Sequence, residues 1–300
     1  MEFRDNYKID TSNVRYGGGR SGGGRGGRGI AVGGGIGGLL LTLLAFLFLP
    51  SLGIDPSVVT GGMGQGGAQG VPAEEDPNAP DCSNVTDIDQ NPDCRWPAYA
   101  TAINGYWESQ IEGYRPAITQ LYSGRISTAC GAGTSEMGPF YCPGDEQVFI
   151  DTEFMGKLLE MLGAESAYAS EAYIMAHEYG HHVQHLTGQM QKSRQGAQTG
   201  AGSGAVRLEL QADCYAGVWF HNELKNPEGL VDNVTTDDLV KMHDAAEAVG
   251  DDHIQQQQTG HVIEENWTHG SSAQRQKWLR TGLETGNPLA CDTFSTNDLG

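Results

Sequence analysis

The chain has 300 residues, 44 of them Gly, and a formal net charge of -20 at pH 7. That length can bury one sizeable core or two small ones. So acidic a chain repels phosphate backbones, which excludes nucleic acid as a partner of its globular part.

In chain order, residues 1–29 form an Arg/Gly-rich segment, of low complexity from 17 to 28, and are predicted to be a disordered cytoplasmic tail. Arg4, Lys8, Arg15, Arg20, Arg25 and Arg28 outnumber Glu2, Asp5 and Asp10 there, so the acidic excess lies further on. Residues 30–50 carry no charge, and 39–49 is almost purely aliphatic and aromatic. A stretch of that length can span a bilayer, which predicts a transmembrane anchor. A cleaved signal peptide is the competing reading, although no small-x-small site follows at Pro50-Ser51-Leu52-Gly53. A positive flank held in the cytoplasm would make this a single-pass protein of the cell membrane, with its domain outside, periplasmic or extracellular. Residues 51–81, rich in Gly, Gln, Pro and Asp, read as a flexible linker. That leaves 82–300 as one domain.

Cys82, Cys94, Cys130, Cys142, Cys214 and Cys291 all lie in that domain. An even count beyond a membrane segment suits an oxidising compartment. The short separations favour Cys82–Cys94 and Cys130–Cys142, which leaves Cys214–Cys291 as a long-range clamp. No Cys-x-x-Cys pair occurs, so a cysteine-zinc site is not expected. Apolar spacing predicts a helix over 96–111, short strands near 118–122, 125–128, 140–142 and 148–151, then helices over 170–186, 206–224 and 236–249. A small sheet followed by helices is an α+β arrangement.

The chemistry concentrates in His177-Glu178-Tyr179-Gly180-His181. Residues i and i+4 share a helix face, so His177 and His181 can hold one zinc ion, and Glu178 can take the proton of an attacking water. His182 and His185 are assigned to packing or surface. A catalytic zinc takes three protein ligands. A further histidine on the same stretch is ruled out because Gln184 and Thr187 stand at the places a metzincin would use. Glu209-Leu210-Gln211-Ala212-Asp213 places two carboxylates one turn apart, one for the metal and one to orient a ligand histidine.

These motifs, with Gly138-Pro139-Phe140-Tyr141-Cys142-Pro143, Ala176-His177-Glu178-Tyr179-Gly180-His181-His182-Val183-Gln184, Glu209-Leu210-Gln211-Ala212-Asp213-Cys214 and Thr268-His269-Gly270-Ser271-Ser272-Ala273-Gln274-Arg275, resemble the gluzincins. Taken together, the four strings look like the bacterial putative neutral zinc metallopeptidases. It implies a gluzincin-like domain, a small sheet plus active-site helices, behind an N-terminal transmembrane helix. Glu209 would then be the third zinc ligand and Asp213 the orienting acid. By the same resemblance to membrane-bound gluzincins, His269 would donate a hydrogen bond to the oxyanion of the tetrahedral intermediate, and Arg275 would brace it or the zinc carboxylate. Gly270 and Ser271 stand where those enzymes carry two prolines. A helix-capping or packing role is the alternative for Arg275. Gluzincins also take peptide as an added strand on a sheet edge. The Gly/Ser-rich stretch 196–204 is either a lid or a connector between the metal helices.

The expectation is therefore an enzyme, a membrane-anchored peptidase with one catalytic Zn2+, acting on peptide or protein substrates and touching the membrane through 30–50. A zinc-stabilised envelope scaffold that binds partners without cutting them is the alternative, and it has no use for Glu178.

Overall fold

The computed structural model describes residues 1–17 and 80–300. The predicted anchor at 30–50, and the linker up to residue 79, lie outside the described residues. Among the described residues no helix is long and apolar enough to cross a membrane. The chain divides into two compact units, one of Met1–Asn13, Pro80–Ala117 and Leu159–Gly300, the other, as far as it is described, of 14–17 and Ile118–Leu158. Together they hold the helices and strands of an α+β protein.

The first unit is mainly helical. Helix α1 (Arg95–Gln110) buries Trp96, Ala100, Ile103 and Trp107, a stripe at helical spacing. The disulfide Cys82–Cys94 holds its N-terminal end. A short helix α2 (Met155–Met161) begins in the second unit and ends in the first, and after it come α3 (Tyr168–Leu186), α4 (Gln189–Ser193) and α5 (Gly204–Glu223), then α6 (Thr236–Ala248), α7 (Asp251–Thr259) and α8 (Ser272–Thr285). Every residue of α5 from Leu208 to Phe220 is buried, because α3 and α8 pack against it. Local chemistry starts these helices where they start. The Ser203 hydroxyl accepts from Val206 N at the head of α5, while Thr235 with Asp238 and Ser271 with Gln274 form capping boxes on α6 and α8.

Glycines set the spacing around α5. A Cβ on Gly180 would lie 3.0 Å from Ala212 Cα, so the glycine inside the histidine motif lets α3 approach α5 closely. On the other side Gly217 and Gly282 face each other, and a Cβ on Gly282 would run into the Cys214 carbonyl. Cys214–Cys291 ties α5 to the turn Pro288–Cys291. All three disulfides pair as the separations suggested.

The second unit is a four-stranded sheet in the order β2 (Val14–Tyr16), β3 (Ile118–Tyr122), β7 (Gln147–Asp151), β6 (Phe140–Cys142), with a separate hairpin of β4 (Arg125–Thr128) and β5 (Gly131–Thr134). The β2–β3 and β3–β7 pairs are parallel and β6–β7 is antiparallel. Tyr122, Ile126, Met137, Phe140, Cys142 and Phe149 form its core, with the Phe140 and Phe149 rings stacked at 4.8 Å. Cys130–Cys142 ties the hairpin turn to β6.

The N-terminal segment corrects the expectation of a disordered 1–29. Residues 1–17 are built into the fold: β1 (Glu2–Phe3) pairs antiparallel with β8 (Val231–Asn233), and β2 runs parallel to β3. Arg4 reaches Asp232 at 2.6 Å, Ile9 N donates to Ser83 O at 3.1 Å, and Ile9 and Val14 are buried. Strands this short show no periodicity, and the cations beside them read as a membrane flank. Residues 18–29 lie outside the described residues. The stretch 196–204 is a pinned connector: Gly200 N donates to Trp267 O at 2.8 Å, and the Ala201 and Gly202 carbonyls accept from Gln274 and Arg207.

Candidate metal centre

His177 and His181 project from α3, and Glu209 meets them from α5. One ligand atom from each lies within 4.8 Å of the others, and all three residues are buried. Glu209 spans the pair, with Oε2 at 3.2 Å from His177 Nε2 and Oε1 at 3.4 Å from His181 Nε2.

The remaining ring nitrogens are committed elsewhere. His177 Nδ1 lies 2.8 Å from Asp213 Oδ1, and His181 Nδ1 lies 2.8 Å from Gln184 Oε1. Carboxylate and amide oxygens only accept, so both Nδ1 atoms carry a hydrogen, which leaves the two Nε2 atoms turned to Glu209 and able, once deprotonated, to give a lone pair to a metal. His181 Nε2 is buried without a hydrogen-bond partner among the described residues. An orphaned buried lone pair is costly unless something coordinates it. Two imidazole nitrogens and a carboxylate are a donor set that suits zinc and leaves a coordination position open. The residues present fit the metal.

Asp213 is the hub behind His177. Its Oδ1 accepts from Tyr173 Oη at 2.7 Å and Arg275 at 2.9 Å, and its Oδ2 accepts from Arg275 Nε at 2.9 Å. Burial would push the Asp213 carboxyl up, but the Arg275 guanidinium and His177 outweigh it and hold it below the usual range. For Glu209, burial likewise acts upward and is outweighed by His181 and His177. Glu178 goes the other way: burial pushes its carboxyl up despite the two histidines. Asp213 and Arg275 balance each other's charge, while Glu209 has imidazoles as its charge partners. A divalent cation beside Glu209 would compensate its buried charge more fully than the imidazoles do.

His269, on the loop before α8, is buried; burial acts to lower its pKa, but Asp251 and, less strongly, Glu209 outweigh it and raise it. Its Nδ1 lies 3.0 Å from Asp251 Oδ1, and Asp251 Oδ2 accepts the backbone N–H groups of Thr268, His269 and Gly270 at 2.8, 2.7 and 3.0 Å. Arg275 sits in the first turn of α8 and divides its guanidinium between Asp213 and the carbonyl of Val249, the C-cap residue of α6, so it braces the carboxylate and also caps a helix end. His182 is buried and bonded through Nε2 to the Arg115 carbonyl, a packing role.

Four residues here have no role read from the sequence: Tyr173, Gln184, Asp251 and Gln211, whose Oε1 accepts from Gln184 Nε2 at 3.2 Å. The first two lie four before His177 and three after His181 on the same helix, a spacing that could have flagged them. Gln211 lies between the two acids of α5, but nothing in the sequence marks a glutamine as buried. Asp251 is remote from His269 in sequence and carries no local signal.

The sequence profile of a family described as "Putative neutral zinc metallopeptidase" matches residues 1–294, which includes the N-terminal strands. The chain is 46% identical over 224 residues to the uncharacterized protein Rv2575 of Mycobacterium tuberculosis H37Rv, covering 73% of this chain and 76% of that one. It is 43% identical over 196 residues to the uncharacterized protein YpfJ of Escherichia coli K12, covering 63% of this chain and 66% of that one. No solved structure matches the chain.

Proposed function

This chain belongs to the putative neutral zinc metallopeptidase family, and from that premise we propose that it hydrolyses peptide bonds at a single zinc ion held by His177, His181 and Glu209. The observation that carries the reading is the convergence of two Nε2 atoms and one carboxylate, with both Nδ1 atoms already engaged by Asp213 and Gln184. Zinc there supplies Lewis-acid activation of water and of the scissile carbonyl.

The chain's own residues do the rest. Glu178 takes the proton of the water whose oxygen attacks the carbonyl carbon, and returns it to the amine as the C–N bond breaks. Its upward-shifted carboxyl suits both halves of that transfer. His269 donates a hydrogen bond to the oxyanion, and Asp251 keeps it charged and aimed. Asp213, braced by Arg275 and Tyr173, fixes the ring of His177. A non-catalytic zinc scaffold has no use for a buried carboxyl at position 178, which favours the enzyme.

Three disulfides support an oxidising compartment outside the cytoplasm. We place residues 1–17 in that compartment with the domain, because they pair with it, and assign membrane association to 30–50. Protease accessibility of tags at the two ends of the chain on intact cells tests this: both tags on one side agrees, opposite sides refutes it. For the centre, Glu209→Gln should lose zinc by metal analysis of the folded protein, and full zinc retention would refute the ligand set.

A further inference from the structure

The two ligand histidines are oriented by different means, and the less obvious one leads across the molecule. His181 Nδ1 meets Gln184 Oε1 at 2.8 Å. Gln184 Nε2 donates to the Leu208 carbonyl at 2.6 Å and to Gln211 Oε1 at 3.2 Å, and Gln211 Nε2 donates to the Cys291 carbonyl at 3.0 Å. Cys291 is held at that point by its bond to Cys214. All the members are buried, so water does not compete for these bonds.

The direction of the chain is forced. A peptide carbonyl can only accept, so the amide NH2 groups must face Leu208 and Cys291. Each glutamine oxygen then faces back, and the last one faces His181 Nδ1. His181 must therefore donate from Nδ1, and its neutral ring, the form that binds a metal, offers Nε2 as the lone pair. Gln211 and Cys214 lie three apart on α5 and share a face, so the hydrogen bond and the crosslink grip the same residue from one side. Arg207 also holds this segment through the Thr293 and Thr296 carbonyls, so loss of the crosslink loosens the anchor without releasing it.

We propose that Gln184 and Gln211 are positioning residues that couple the zinc ligand His181 to the Cys214–Cys291 crosslink, so that metal affinity depends on a disulfide that never touches the metal. This rests on the zinc reading of the centre. The relay is electrically neutral, so it orients His181 without adding a third buried carboxylate to Glu178 and Glu209.

The test uses the full chain, zinc competition against a chelator, and 15N NMR of the His181 ring in the metal-free protein. Gln184→Leu should weaken zinc roughly 10- to 100-fold and lose the fixed tautomer. Gln184→Glu in its protonated form keeps an acceptor for His181 and a donor for Leu208, and should recover most of both. Gln211→Leu and the Cys214→Ala/Cys291→Ala pair should each weaken zinc by about 3- to 10-fold, within the lower part of that range. Combined, they should weaken it no more than the larger of the two, because they cut one route. If leucine at 184 prevents folding, the Gln211 and cysteine variants carry the test. Wild-type affinity in Gln184→Leu, or simple additivity of Gln211→Leu with crosslink removal, would overturn the relay alone. Absence of zinc uptake by the wild type would overturn the reading of the centre, and the relay with it.

Discussion

His177 and His181 lie one turn apart on α3, yet one is backed by charge and the other by neutral amides. Behind His177 stand Asp213, Arg275 and Tyr173, a buried ion pair with a hydroxyl attached. Behind His181 stand Gln184 and Gln211, ending on two backbone carbonyls. The difference teaches that the two sides should fail differently. Removing one partner of a buried ion pair strands a charge in a place it cannot be solvated. Removing one amide leaves only an unsatisfied polar group, at a smaller cost.

The largest break is therefore expected on the charged side. Asp213→Ala leaves the Arg275 guanidinium without its carboxylate, and should cost about 3–5 kcal/mol in denaturant unfolding of the metal-free protein. If stranded charge is the cause, adding Arg275→Met should restore part of that loss; a double variant as unstable as the sum of the two singles would show that packing dominates.

The third buried histidine extends the comparison to pH. Burial would lower His269, but Asp251 outweighs it, so its pKa lies above the ordinary 6.5. Burial would raise Asp251, but His269 and the backbone N–H groups outweigh it, so its carboxyl lies below the usual range. The histidine's contribution to stability is full below its unfolded value and is lost as pH rises through its folded one. The carboxylate's contribution is present above its unfolded value and is lost as pH falls through its folded one. The loop should be firmest between the two ordinary values, 3.8 for the carboxyl and 6.5 for the imidazole, and should weaken towards the folded value on either side. Asp251→Asn should then move the alkaline limb of kcat/KM to lower pH, and an unmoved limb would remove His269 from the reaction.

The smallest effect separates a brace from a ligand partner. Tyr173→Phe deletes one bond to Asp213 while Arg275 and His177 keep the rest, and should cost about 1 kcal/mol with zinc affinity nearly unchanged. A large drop in zinc affinity would promote Tyr173 to an essential support of His177.

Where the sequence could be read, the reason is spacing. His177 with His181, and Glu209 with Asp213, are one-turn pairs, and helical geometry alone brings each pair onto one face. The short loops between cysteines gave two of the disulfides, and elimination the third. The rest was hidden for physical reasons. Glu2–Phe3 and Val14–Tyr16 are too short to show alternation, and their partners are distant in sequence. Helix α8 is mostly polar, with Trp278, Leu279 and Gly282 as its buried contacts besides Gln274 and Arg275. Its Ser271–Gln274 capping box was nevertheless present in the sequence. Gln184 offers only its spacing from His181 as a signal until the fold buries it. Asp251 supplies through three backbone bonds the rigidity that Gly270 and Ser271 withhold from the His269 loop.

The most direct test of the central claim is digestion of a mixed peptide library by the zinc-loaded protein, read by mass spectrometry beside Glu178→Gln at equal zinc content. The account predicts cleavage by the first and a loss on the order of 10²- to 10⁴-fold in the second. Equal cleavage by both would contradict it.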